Sequence, residues 1–132
     1  MKAVYTYSVE KVAPVAPEGK VEYSRPMQWY EFRKVNPFDV LKVCCEHFGV
    51  TVQEAQSANR KQPKVMARMY YGYLLKEDAG FTYYTIGGFI NRDHSSVIHY
   101  VRTINNQMPF DERIEDTLDI LRQKLLDFYR RY

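Results

Sequence analysis

The chain has 132 residues, enough for one domain with a short extension at one end. Hydrophobic residues make up 45% and aromatics 15%, with 12 Tyr, which excludes global disorder; 19 Lys plus Arg against 16 Asp plus Glu leave a formal net charge of only +3. No apolar run approaches the roughly 20 residues of a membrane span. The start, MKAVYTYSVEKV, lacks the continuous apolar stretch of a signal peptide, and the expectation is a soluble, cytoplasmic protein.

Residues 1–35 differ from the rest. Val4-Tyr5-Thr6-Tyr7-Ser8-Val9 has the β-branched and aromatic content of a short strand, but Pro14, Pro17, Gly19 and Pro26 break any longer element. Trp29-Tyr30-Glu31-Phe32 is aromatic enough to dock on something. The region reads as an irregular N-terminal arm, with 36–132 as the folded domain.

From Asn36 onward the helix signals are dense. Asn36-Pro37 is an N-cap with proline at the first helical position, Phe38, Leu41, Cys45 and Phe48 give an apolar stripe, and Gly49 is a stop. Thr51-Val52-Gln53-Glu54 is a capping box for a short second helix. Ser57 to Pro63 is polar and basic, a loop, and Pro63 starts a third helix running to about Asp78 and ended by Gly80. Thr82 caps a short fourth helix through Phe89 or Ile90. Asn91 is the expected cap of a fifth, which reaches about Asn106 and is closed by Pro109. The last helix begins near Asp111, with Ile114, Leu118, Leu121, Leu125 and Phe128 as a heptad-like seam too short for a coiled coil. Packing on the domain's own core, and hence a monomer, is the expectation. The fold class is all-α.

The cysteines, Cys44 and Cys45, are adjacent and cannot staple a fold; with His47, His94 and His99 as the chain's histidines, zinc-ligand spacings do not arise. The pair reads as buried thiols of a reduced protein.

Charge is distributed unevenly. Residues 1–59 hold seven basic and seven acidic side chains. Residues 60–108 hold seven basic (Arg60, Lys61, Lys64, Arg68, Lys76, Arg92, Arg102) and three acidic (Glu77, Asp78, Asp93), and 109–132 hold five and six. The excess of +4 is confined to the middle third, an asymmetry that by itself does not establish a nucleic-acid partner. On a wheel of the fifth helix, Val97, Val101 and Ile104 form the core stripe; Arg92, Ser95, Ser96, His99, Arg102, Thr103 and Asn106 lie opposite, with Asp93 and His94 in the first turn. A polar face is equally the mark of plain solvation. A short helix before it across a tight turn makes the layout a helix-turn-helix.

Ile86-Gly87-Gly88-Phe89-Ile90-Asn91-Arg92-Asp93-His94-Ser95-Ser96-Val97-Ile98-His99 resembles the signature of the C-terminal DNA-binding domain of the bacterial replication initiator DnaA. The resemblance runs over about residues 37–130: Arg60 to Lys64 falls where that family has a basic loop, and Arg68 in the helix that it begins with an Arg-Gln pair. The turn before Arg92 is one residue shorter than the common Gly-Gly form, Met69 stands where Gln is usual, and Ser95-Ser96 replaces Thr-Thr. The chain has no Gly-x-x-x-x-Gly-Lys-Ser/Thr, so the family's nucleotide switch is not carried over and no cofactor is expected.

The resemblance implies a helical bundle of the DnaA C-terminal, Trp-repressor-like type and sequence-specific binding of double-stranded DNA, linked to replication initiation or its regulation in the nucleoid. The second helix of the motif would enter the major groove and a basic-loop residue, Arg60 or Lys61, the minor groove. Asp93 would accept from a cytosine amino group and His94 would contact a base edge. Ser95, Ser96, His99, Asn91, Arg92 and Arg102 would reach bases or the groove rim, with Lys64 and Arg68 adding phosphate contacts. Other replication or regulatory proteins are candidate partners for the arm. The alternative is a protein-interaction module that keeps the scaffold. Catalysis is not expected, because consecutive Asp93, His94 and Ser95 diverge on a helix and cannot form a triad.

Overall fold

The computed structural model describes residues 26–32 and 34–131. The strand expected at Val4 to Val9, and most of the arm, lie outside them. Among the described residues there is no strand, and the protein is all-α. The helices are α1 (Pro37–Phe48), α2 (Val52–Ala55), α3 (Gln62–Tyr73), α4 (Tyr83–Gly88), α5 (His94–Gln107) and α6 (Glu112–Arg130). Short 3-10 turns cover Trp29–Glu31 and Met108–Phe110, and a π-helical turn, Leu74–Asp78, extends α3.

Local chemistry sets most boundaries. The Asn36 side chain accepts from the Phe38 amide and Gly49 closes α1 at φ +71°, a left-handed conformation that favours glycine. Thr51 and Glu54 form both bonds of a capping box. Thr82 and Asp111 cap α4 and α6 through their side chains.

α3 is the central element, packed between α1 and α5, with α4 against α5 and α6 across α1. Leu41, Cys44, Tyr71, Leu74, Leu75, Ile86, Ile90, Val97, Ile104, Leu118, Leu121 and Leu125 are buried. Two stripes differ from their expected phase. In α1 the buried face is Val40, Leu41, Val43, Cys44 and Cys45, while Phe38 is exposed. In α6 the seam ends on Tyr129 and not Phe128, because the Tyr129 hydroxyl accepts from the Asn36 amide and donates to Asp39.

The aromatic end of the arm docks on the domain itself. Trp29 is buried, and its indole N–H donates to Asp78 Oδ2 at 3.0 Å; Arg122 of α6 grips the same carboxylate at 2.8 and 3.0 Å. Phe32 stacks on Tyr129.

Candidate nucleic-acid interface

α4, the turn 89–93 and α5 make the helix-turn-helix. Ile86 and Ile90 anchor α4 in the core, and the Tyr71 hydroxyl donates to the Ile86 carbonyl. The chain leaves α4 by bonding the amides of Ile90 and Arg92 to the Gly87 carbonyl. Asn91 supplies the left-handed step, φ +57°, a conformation that Asn tolerates better than other side chains do. Asn91 is therefore not the cap of α5, as expected, because a residue in that conformation cannot begin a helix. Asp93 is the cap. Its Oδ1 accepts from the Ser96 amide at 3.1 Å and from the hydroxyls of Ser95 and Ser96, and these bonds, with that of Ser95 first, hold its carboxyl below the usual carboxylate range. Arg92 and Asp93 thus stand in the turn, and α5 proper begins at His94.

The two faces of α5 separate as the wheel required. Val97, Val101 and Ile104 are buried, joined by Tyr100, which the apolar stripe had omitted. Ser95, His99 and Arg102 are exposed, and Ser96 and Thr103 are half-buried. His94 stacks on the ring of Tyr84, 4.4 Å between centroids at 26°, and Tyr84 is 71% exposed. Sequence reasoning passed over Tyr84; its position two residues before Ile86, on the outer face of α4, was the available signal.

The basic loop lies beside this helix start. Arg60, Arg92, Ser95, Ser96, His99 and Tyr100 line one open cleft of about 400 Å³, with Val65 and Arg68 as its floor, and no carboxylate lines it. Arg60 and Lys61 are exposed. The loop carrying them is shaped by its own side chains: Asn59 Oδ1 accepts from the Lys61 amide and Ser57 Oγ from the Asn59 amide. Lys64, on the first turn of α3, pairs with Glu54 at 3.7 Å. Lys76 lies away from this cleft, over the ring of Tyr83.

Arg68 stands elsewhere than expected. It is 1% exposed, and its guanidinium donates to main-chain carbonyls of residues 54–59 instead of standing free for a phosphate. Burial, and then the charge of Arg92, lower its pKa from the ordinary arginine value, without approaching neutrality.

Residues 37–104 match the model of the bacterial dnaA protein helix-turn-helix family. The chain belongs to that family. It is 35% identical to the chromosomal replication initiator protein DnaA of Bacteroides thetaiotaomicron over 86 residues, 64% of this chain and 18% of that protein. It is 33% identical to the DnaA of Deinococcus radiodurans over 92 residues, 70% of this chain and 20% of the relative. A third, from Citrifermentans bemidjiense, is 33% identical over 87 residues, 65% of this chain and 19% of that protein. The chain spans about a fifth of the length of these relatives. The matched segment is thus the helix-turn-helix module, and it contains α4, the basic loop and α5 as far as Ile104. No helix among the described residues is long and apolar enough to cross a membrane.

Proposed function

We propose that this domain binds double-stranded DNA in a sequence-selective manner, with the start of α5 in the major groove and the 57–61 loop over the neighbouring minor groove. The observation that carries the reading is the shared cleft. Two separate elements bring Arg60, Arg92, Ser95, Ser96 and His99 to one surface that no carboxylate lines, which suits a polyanion with donors for phosphates and mixed groups for base edges. Arg60, Lys61, Lys64, Arg92, Arg102 and His99 are the phosphate or minor-groove contacts. His94, Ser95, Ser96 and the free Oδ2 of Asp93 face the bases, with Asn91 setting the turn. Its relatives are named chromosomal replication initiator proteins, which supports placing this binding in replication initiation or its regulation.

The experiment is selection of bound duplexes from a random library, followed by titration of the selected and a random duplex at several salt concentrations. With roughly four to five phosphates neutralised, log K falls against log salt with a slope of about −3.5 to −4.5. A slope near zero, or no enriched sequence, sinks the reading in favour of a protein-interaction role.

A further inference from the structure

Among the described residues Arg68 is the one charged side chain that is fully buried. Four carbonyl oxygens accept from it, that of Ala55 at 2.6 Å from Nε, and those of Asn59 at 2.6 Å, Ser57 at 2.9 Å and Glu54 at 3.4 Å from Nη2, with the Tyr100 hydroxyl as a further partner. Two of these carbonyls, of residues 54 and 55, belong to α2; that of Glu54 also accepts from the Ser57 amide and hydroxyl, and Arg68 Nε closes that of Ala55. The other two lie past α2, in the strip of loop that carries Arg60 and Lys61. Closing α2 does not require them.

The same strip is bonded from its other side by the turn of the helix-turn-helix. Arg92 Nη2 donates to the Ser57 carbonyl at 2.8 Å, Asn91 Nδ2 donates to the Gln56 carbonyl at 3.3 Å, and Gln56 Nε2 donates back to the Phe89 carbonyl at 2.9 Å. Ser57 therefore receives both guanidinium groups on one oxygen, one from α3 and one from the turn. The two like charges repel, and the Ser57 carbonyl, with two lone pairs, accepts from both. A lysine cannot replace the fork, since its three donors sit on one atom and cannot reach across residues 54–59.

We propose that Arg68 is a positioning residue for nucleic-acid binding: it fixes the 57–61 loop against the turn before α5, so that the loop cations and the recognition helix meet two grooves at a preset spacing. This rests on the reading of the domain as a duplex-DNA binder. A loop without the clamp has to be ordered at the moment of binding, and the contacts of Arg60 then lose their value.

The test uses the full chain with Arg68→Met, Arg68→Lys and Gln56→Ala, each alone and combined with Arg60→Ala. Hydrogen exchange is measured without DNA, and Kd is measured on the selected duplex. The expected result is exchange of the 57–61 amides at least about tenfold faster in both Arg68 variants, with the α5 amides unchanged. Affinity falls about tenfold. Arg60→Ala weakens the wild-type chain severalfold but the Arg68→Met chain less than about twofold, the non-additivity expected of a residue acting through another. Gln56 is half-buried and its loss spares the core, so Gln56→Ala gives the same pattern at smaller size even if the Arg68 variants do not fold. Equal losses from Arg60→Ala in every background, or unchanged exchange, overturn the positioning role while DNA binding stands. If the wild-type chain binds no duplex, the DNA reading falls and the role of the loop falls with it.

Discussion

Gly87 and Arg92 meet backbone to backbone. The Gly87 carbonyl accepts from the Arg92 amide at 3.0 Å, and the place of a Gly87 Cβ is taken by the Arg92 carbonyl oxygen. This contact fixes how close α4 can come to the turn and so sets the angle at which α5 leaves it. Gly87→Ala has to push main chain aside, and overpacking of this kind costs about 1–3 kcal/mol. At the neighbouring Gly88 a Cβ meets open space, and Gly88→Ala should be neutral or stabilise slightly. Urea midpoints of the two variants check this; equal midpoints would show that the turn is not tightly packed.

Asp93 has two tasks that substitution can separate. Asp93→Ala removes the cap of α5 and should lower Tm by several degrees, with binding to selected and random duplexes both impaired. Asp93→Ser keeps a capping hydroxyl but gives up the second carboxylate oxygen. It should melt near the wild type, bind the selected duplex about tenfold more weakly, and bind random duplex as well or better. Equal tightening on both duplexes would mean that this oxygen reads no base.

The seam of α6 is core. Leu121 is fully buried while its neighbour Ile120 is 47% exposed. Leu121→Ala should cost about 2–5 kcal/mol, and Ile120→Ala much less. Sedimentation adds a second reading, for if Leu121→Ala converts a dimer into folded monomers, the seam is an interface.

Alkaline pH should unfold the domain early. Burial pushes the Cys45 thiol up to about 11 and the phenols of Tyr73 and Tyr129 up to about 12, and it raises Cys44 and Tyr71 as well. These groups stay neutral in the fold and ionise in the unfolded chain from about pH 8.5 for the thiols and about 10 for the phenols. Their stabilising effect is complete below those values and is lost as pH rises toward the folded ones. The urea midpoint should therefore fall steadily from about pH 8.5. A thiol reagent at pH 8 should meet no reactive group until denaturant is added; immediate reaction of either cysteine contradicts the burial.

Trp29 is the one tryptophan of the chain and reports on its own tether. Asp78→Ala leaves its indole N–H and the Arg122 fork without their acceptor, a loss of about 1–3 kcal/mol. Emission should shift to the red as the ring meets water. An unchanged spectrum would show that packing alone holds it.

Much of the fold was legible in the residues because the signals were local. Asn36-Pro37, the Thr51–Glu54 box, Thr82, Gly49 and Gly80 each act within a few residues, and the structure places them at the ends they mark. Spacing alone could not show which of two polar residues caps α5. Asn91 and Asp93 are both good caps, and the choice depends on the left-handed turn imposed by the α4–α5 contact. Arg68 was misplaced for a related reason. Its charge suggested solvent, whereas the carbonyls that neutralise its donors come from residues 54–59, and only the fold brings them to it. The Tyr84–His94 stack is likewise a contact between helices that no periodicity encodes.

The π-helical turn Leu74–Asp78 gives one more residue to a single winding than an α-helix would. Both Leu74 and Leu75 can thereby face inward in succession, and Asp78 is carried round to Trp29 and Arg122. In the lineage of this domain such a turn is where a residue can be gained or lost without displacing the two helices of the motif: the surplus is absorbed as a bulge before Gly80, and α4 and α5 keep their register. Differences in length between α3 and α4 among its relatives should accordingly gather in this segment.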